Sequence, residues 1–505
     1  MAESETLQGL AARVLAAGEE AAAVLALPER HWIDGAWQAP AAGRSLESWD
    51  PGSGRAYARF AAGDAADVSE AVASAREGFR RWSATAPAER GRVLQRAAEL
   101  LRAEAARFAV AESLDCGKPL GEAAGDVRGA ARAFEYYAGA CDKLQGETIP
   151  LGRDYLAYTL IEPVGVTAHV IPWNYPISTA ARGLAPALAA GCSVVAKPAE
   201  QTPMTALLLA ELLQRAGLPD GVCNVVTGTG AEAGAPLVAD PAVRHVTFTG
   251  SVETGRTVMA AAARSIASVT LELGGKSPVV VLADCDREAA LEGVMGAIWE
   301  NAGQICSAGS RLVVERGLHD GFLEELVRRT RALSLGHGLR DPQVGPISSP
   351  AQLARIRGYV EAAKARGVAV ATGGETTVDP ETGAGWFFQP TILDALEPSD
   401  PCVQEEIFGP VLSVQVAEDA AHALALANGT DYGLVAGIYT RDVDRALALA
   451  RDLDCGQVYV NEYFAGGIET PFGGNRLSGF GREKGLDGLR AYCKVKSVAA
   501  RIRAS

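Results

Sequence analysis

Long apolar runs are missing from this chain of 505 residues, and so is any excess of basic charge. No stretch approaches the roughly 18 uninterrupted apolar residues of a membrane-spanning helix, so none is expected. The first helix-like stretch, Thr6–Leu27, is rich in alanine but carries Glu19 and Glu20, with Glu29 just beyond. It has neither the basic start nor the unbroken apolar core of a secretory signal, and its acids argue against a transit peptide. Lys and Arg total 47 against 61 Asp and Glu, a net charge of −14. That balance speaks against a nucleic-acid or anionic-membrane partner, which would need a basic stripe. The six histidines are scattered, and none of the nine cysteines (116, 141, 192, 223, 285, 306, 402, 455, 493) forms a CxxC pair. Neither a disulfide framework nor a metal site is expected. What is present is globular in composition, with 48% hydrophobic and 21% charged residues. The reading is a soluble, acidic, cytoplasmic protein of about two to four domains.

The first third is helical by pattern. Ala65–Trp82, Ala88–Cys116 and Gly121–Leu144 repeat apolar residues at helical spacing, with Pro87 where a helix would start. They would form a free-standing bundle or flank a sheet supplied later. From Pro163 short apolar runs alternate with helices: Val164–Ile171, Ser193–Lys197, Cys223–Val226, His245–Phe248 and Ser268–Leu273. With Gly or Pro at the joints, this argues an α/β doubly wound parallel sheet, whose ligands bind at the carboxyl ends of the strands. A second α/β rhythm follows Gly275, through Pro278–Leu282, Leu312–Glu315, Val368–Ala371 and Val411–Val416. Gly373–Gly385 and Ala465–Gly481 read as long loops, and Ala491–Ile502 as a final strand.

Residues just after strands are where chemistry is expected. Asn174, in IPWNYP after the first strand, can donate to a developing oxyanion, or be a turn residue between prolines. Lys197 and Glu200 follow the second strand, where an acid can accept ribose hydroxyls, or simply pair with the lysine. Gly250-Ser251 through Gly255 opens a helix after HVTF and offers N–H groups to phosphate, or is an ordinary cap. Gly228–Gly234, including Gly230, is a near miss to GxGxxG with one residue too many. Glu272 ends an apolar strand, where desolvation would raise its pKa toward that of a general base, unless it pairs with Lys276 or faces solvent. Cys306 lies among small residues in GQICSAG. If it is a nucleophile, its thiolate needs a carboxylate, a helix N-terminus or a cationic cofactor, because no histidine is near in sequence.

Seven motifs, PWN (172–174), KPAE (197–200), FTGS (248–251), LELGGK (271–276), GQICSAG (303–309), EEIFGP (405–410) and PFGG (471–474), occur in one order. In them the chain resembles the NAD(P)-dependent aldehyde dehydrogenases of the hydrolytic, non-acylating type, from about residue 31 to its end. The resemblance implies a Rossmann-like coenzyme domain (31–144 and 164–274), an α/β catalytic domain (275–478) and a small bridging sheet for oligomerisation (145–163 and 479–505). A helical extension (1–30) precedes them. It implies Cys306 as nucleophile, Asn174 with the Cys306 N–H as oxyanion donors, Glu272 as the base that activates water, and Glu483 in a proton relay. Ile171, Pro172, Trp173, Lys197, Glu200, Gly230, Gly250, Ser251, Gly255, Leu273, Glu406 and Phe408 are the implied coenzyme contacts. NAD is expected as the cofactor, with NADP disfavoured by Glu200. A homodimer or homotetramer is expected.

The resemblance also puts Tyr175, Arg182, Trp299, Glu300, Ile305, Ser307, Phe464 and Phe472 around the aldehyde. Many family members carry aromatics where this chain has Arg182 and Glu300. A polar or mixed-charge aldehyde is one expectation; the plainer one is that Arg182 and Glu300 pair with each other. Two rival readings are an enzyme that passes the acyl group to coenzyme A, which Glu272 argues against, and a non-catalytic relative, which would have lost Cys306, Glu272 or Asn174.

Overall fold

The computed structural model describes residues 6–26 and 29–503. Strands that are apolar along their whole length need cover on both faces. Ser193–Pro198, Pro278–Val281 and Val435–Tyr439 are buried at every residue, with helices on either side. In the first sheet five parallel strands run in the spatial order Cys223–Val225, Ser193–Pro198, Val166–Ile171, Val243–Thr249, Ser268–Glu272. The chain order reverses between Val166–Ile171 and Val243–Thr249. At such a reversal the connections leave in opposite directions and open a crevice at the carboxyl ends. Pro172–Asn174 leaves one of these two strands and Gly250-Ser251 the other. An antiparallel hairpin, His31–Ile33 with Ala36–Gln38, extends one edge.

The second sheet holds six parallel strands, in the order Thr391–Asp394, Val411–Ala417, Arg311–Glu315, Pro278–Val281, Val435–Tyr439, Gln457–Val460, with Ala369–Thr372 antiparallel at one edge. A third, antiparallel sheet pairs Cys493–Arg501 with Tyr155–Pro163 and Thr148–Ile149. The stretch 479–505, expected wholly in the bridging part, first adds Gly479–Phe480 to the open edge of the first sheet, opposite Glu272 and Leu271. Gly479 has φ +108°, and any Cβ there would collide with the Leu271 carbonyl, so only glycine permits this approach.

The early helices flank the first sheet. Leu94, Phe108 and Phe134 share one core with Leu184 and Leu208 of the helices Pro176–Ala190 and Met204–Arg215. The expected single helix Ala88–Cys116 is two, Pro87–Ala103 and Ala105–Cys116, broken where Glu104 leaves helical geometry at φ −105°, ψ 17°. The third helix spans Leu120–Ala138 and stops before the expected Leu144. The N-terminal helix spans Leu7–Ala17 and ends at Gly18, whose φ of +54° suits glycine. A single turn and Ala21–Val24 follow, while Leu27 lies outside the described residues. Among the described residues no helix is long and apolar enough to cross a membrane.

Candidate active site

Cys306 sits on the turn that follows the helix Arg287–Trp299. Asn301 and Ala302 adopt φ of +45° and +52°, unusual for residues with a Cβ, and such strain is held only where packing dictates it. The small residues around the thiol are required by close packing. A Cβ on Gly303 would come within 3.0 Å of the Pro410 nitrogen, and one on Gly309 within 2.5 Å of Val279. Burial pushes the Cys306 thiol up to about 12, opposed by the nearby Arg182 guanidinium.

Glu272 is fully buried at the end of its strand, and neither carboxylate oxygen has a hydrogen-bond partner among the described residues. Burial holds its pKa well above the usual carboxylate range, and repulsion from Glu483 adds to this; Arg182, Arg482 and Lys484 oppose it. The expectation that Glu272 pairs with Lys276 is not met, because the Lys276 ammonium is itself buried without a partner and burial lowers it to about 8. Gly473 leaves room for the acid: a Cβ there would stand 2.6 Å from Glu272 Oε1. Asn174 Nδ2 donates to the Gln304 carbonyl at 2.8 Å, and Asn301 Nδ2 donates to the Asn174 carbonyl at 3.1 Å. The amide is thereby tied to the turn that carries the thiol.

The other strand-end residues gather along the crevice. Lys197 Nζ, buried, donates to half-exposed Glu200 at 3.3 Å. Gly230 opens the turn Gly230–Gly234, and a Cβ on Gly234 would lie 3.5 Å from Lys197. Ser251 Oγ accepts from the Thr254 N–H at 3.2 Å and caps the helix Val252–Ser265. Gly250 N–H donates to the Glu272 carbonyl at 3.1 Å, and Gly255 packs against Leu273, which a Cβ would approach to 2.6 Å. From the second sheet, Glu406 Oε1 accepts from the Gly275 N–H at 2.9 Å, and burial pushes this acid up to about 7. Phe408, at φ +61°, meets the Trp173 ring edge to face at 5.2 Å, which joins the Ile171-Pro172-Trp173 corner to the far domain.

A cavity of about 230 Å³ opens in front of Cys306. Of the eight residues expected there, Tyr175, Arg182, Glu300, Ile305, Ser307, Phe464 and Phe472 line it. Trp299 does not; it is buried in the core behind the wall. Arg182 and Glu300 do not pair with each other. Arg182 is ion-paired with Glu483, and Glu300 accepts from the Tyr175 hydroxyl at 3.3 Å.

The aldehyde dehydrogenase family model matches residues 37–498. The chain belongs to this family. It is 43% identical over 471 residues to a betaine aldehyde dehydrogenase of Cereibacter sphaeroides, covering 93% of this chain and 96% of that one. It is 41% identical to a hydroxyisobutyraldehyde dehydrogenase of Mycolicibacterium austroafricanum, covering 95% of each. Its fold matches a P. syringae indole-3-acetaldehyde dehydrogenase, solved as a mutant in complex with NAD+ and IAA, with a TM-score of 0.94 at 38% identity, covering 98% of this chain and 100% of that one.

Two further charged residues of this family member line the cavity without having been singled out by sequence. Asp126 comes from the helix Leu120–Ala138, and Lys484 from the turn after Gly479–Phe480. Lys484 had a signal, since it adjoins Glu483 in GREKG. Asp126 had none: its helix reads as an ordinary amphipathic one.

Proposed function

We propose that the chain oxidises an aldehyde to its carboxylic acid with NAD, by covalent catalysis at Cys306. The observation that carries this reading is a partly buried thiol near a buried carboxylate, Glu272, that no described residue hydrogen-bonds. A desolvated acid with free oxygens is a proton acceptor in waiting.

The residues along the crevice fit a dinucleotide. Nothing stands within 4 Å of where a Cβ on Gly230 would be, which leaves open space over that turn. Beside it Lys197 presents a buried ammonium with a single carboxylate partner, and Ser251 caps a 14-residue helix whose amino end suits phosphate. Glu200 would accept ribose hydroxyls and repel a 2′-phosphate, which favours NAD over NADP. Ile171, Pro172, Trp173, Gly250, Gly255 and Leu273 would form the floor, with Glu406 and Phe408 toward the reacting end. When bound, NAD supplies the hydride acceptor.

Cys306 would add to the aldehyde carbonyl as its thiolate, the thiol proton having passed to solvent and the nearby Arg182 guanidinium favouring the charged sulfur. Asn174 Nδ2, with one N–H beyond its bond to Gln304, and the Cys306 N–H would hold the oxyanion. After hydride loss the carbon is bound to sulfur as a thioester; Glu272 would take a proton from the attacking water, and the carbon–sulfur bond would break to return the Cys306 thiolate and release the carboxylic acid. Glu483, beside Glu272 and tied to Arg182, would carry that proton onward. The third sheet exposes Tyr155, Leu156, Leu160 and Val495 beside a free strand edge, which supports assembly as a homodimer or homotetramer.

The test is incubation with NAD and aliphatic, aromatic, amino and carboxylated aldehydes, following NADH, beside Cys306→Ala. NADH formation without coenzyme A, abolished in the variant, is expected. NADH formation only when coenzyme A is present would overturn the hydrolytic reading.

A further inference from the structure

Of the four charged side chains that line the cavity before Cys306, Lys484 and Glu300 are of opposite sign and form no ion pair with each other. Lys484 adopts φ +59° and ψ 174°, a backbone region occupied almost only by glycine, and it keeps its ammonium in the cavity. The Nζ lies 5.1 Å from the centre of the Phe472 ring, and among the described residues no carboxylate ion-pairs with it. The neighbouring Arg182, 4.8 Å from the same ring, is already committed to Glu483. A strained backbone that delivers an unmatched cation beside the nucleophile points to an anionic group on the ligand.

The wall that carries Glu300 is short of positive charge. The Lys118 ammonium there ion-pairs with Asp126 and with Glu112, 3.6 Å away, and lies over the Tyr175 ring at 3.8 Å. Among the described residues Glu300 has the Tyr175 hydroxyl as its one hydrogen-bond partner, and Glu122 stands close behind it. Burial and neighbouring acids raise both: Glu122 to about 8 by burial and Glu300, and Glu300 upward by burial and Asp126. Buried charge without a partner is costly, and a ligand of opposite sign relieves it. A carboxylate alone would face this wall, and an ammonium alone would leave Lys484 unmatched.

We propose that the cavity receives a short aldehyde carrying both a carboxylate and an ammonium group, with Lys484 receiving the carboxylate and Glu300, backed by Asp126, the ammonium. The proposal rests on the aldehyde-oxidising reading of Cys306. The cavity of about 230 Å³ is smaller than the roughly 300–1,000 Å³ of drug-sized sites, which suits a chain of a few carbons.

The full-length protein would be assayed with NAD and butanal, succinate semialdehyde, 3-aminopropanal and aspartate β-semialdehyde. The zwitterion is expected to exceed butanal by about tenfold or more in kcat/KM, about 1.4 kcal/mol per factor of ten. Lys484→Met and Glu300→Gln should each lower that ratio by about tenfold, and Lys484→Arg should keep it. Lys484→Gly, which removes the charge and relieves the backbone together, should behave as Lys484→Met and guards against misfolding of the latter. Independently of turnover, L-homoserine should protect Cys306 from iodoacetamide, whereas butan-1-ol should not. Equal use of butanal and the zwitterion, with Cys306-dependent turnover, would overturn this proposal and leave the aldehyde-oxidising reading standing. Equal use of 3-aminopropanal and the zwitterion would overturn the role of Lys484. Homoserine protection without oxidation of any aldehyde would support the charge recognition and overturn the reaction instead. Neither protection nor turnover would overturn both.

Discussion

The guanidinium of Arg182 is ion-paired with Glu483 at the inner end of the cavity. The partner expected in the sequence, Glu300, belongs to another part of the wall. One consequence is that two buried acids, Glu272 and Glu483, lie near the Arg182 guanidinium, and Glu272 makes no hydrogen bond to it. The ionisation of Glu272 therefore depends on a residue it does not touch through a hydrogen bond.

Glu272→Gln keeps the shape of the site and removes its proton acceptor. Acylation of Cys306 should still occur, followed by slow hydrolysis. A burst of about one NADH per site, then a steady rate about 10²–10⁴-fold below the native one, is the expected time course. Mass spectrometry should find the acyl group on Cys306. A variant with native steady-state turnover would remove Glu272 from the mechanism.

Glu483→Gln should move the acidic limb of the deacylation rate toward lower pH. Repulsion from Glu483 raises the Glu272 pKa, so removing that charge lowers it, and the freed Arg182 acts in the same direction. The base form of Glu272 is then available at lower pH. The pH profile of single-turnover deacylation is the measurement, and an unmoved or upward-shifted limb would contradict the electrostatic assignment.

His245 should make the protein acid-sensitive. Burial in the first sheet, against Ser268 and the Tyr492 ring, lowers its pKa from 6.5 to about 4. The unfolded chain binds the proton from about pH 6.5 downward while the folded one refuses it. The stability contributed by the neutral ring is thus complete above 6.5 and lost as pH falls toward 4, by up to about 3 kcal/mol. Buried carboxyls such as Asp115 act in the opposite sense, because burial raises Asp115 to about 7. The comparison is therefore between wild type and His245→Gln, whose urea midpoints should differ less at pH 5 than at pH 7.5.

Glu200→Gln should loosen coenzyme discrimination. The acid is only half-buried and, among the described residues, ion-pairs with Lys197, so its loss frees that ammonium for a phosphate. The NADP-to-NAD ratio of kcat/KM should rise by about tenfold or more, read from initial rates with each coenzyme. An unchanged ratio would place the discrimination elsewhere.

Much of this was readable before any fold was known. Strands such as Ser193–Pro198 and Pro278–Val281 announce themselves because buried parallel strands must be apolar on both faces. Asn174, Glu272 and Cys306 stood out because each breaks an apolar or small-residue run where doubly wound folds put ligands. The helix break at Glu104 was not readable, since no glycine or proline marks it and only the backbone angles at Glu104 reveal it. Trp299 was read as facing the aldehyde, but the turn at Asn301 and Ala302 leaves its ring in the core.

By itself the sequence determined the family, the parallel sheets and the residues on which chemistry could rest, because those depend on local pattern and on side-chain type at short range. Which charge meets which was decided only by tertiary structure. Arg182 finds Glu483 because Gly479 lets a remote strand dock beside Glu272 and bring buried Glu483 against Arg182 and Lys484 to the cavity wall. Coulomb energies depend on distance and burial, and neither can be read from positions along a chain.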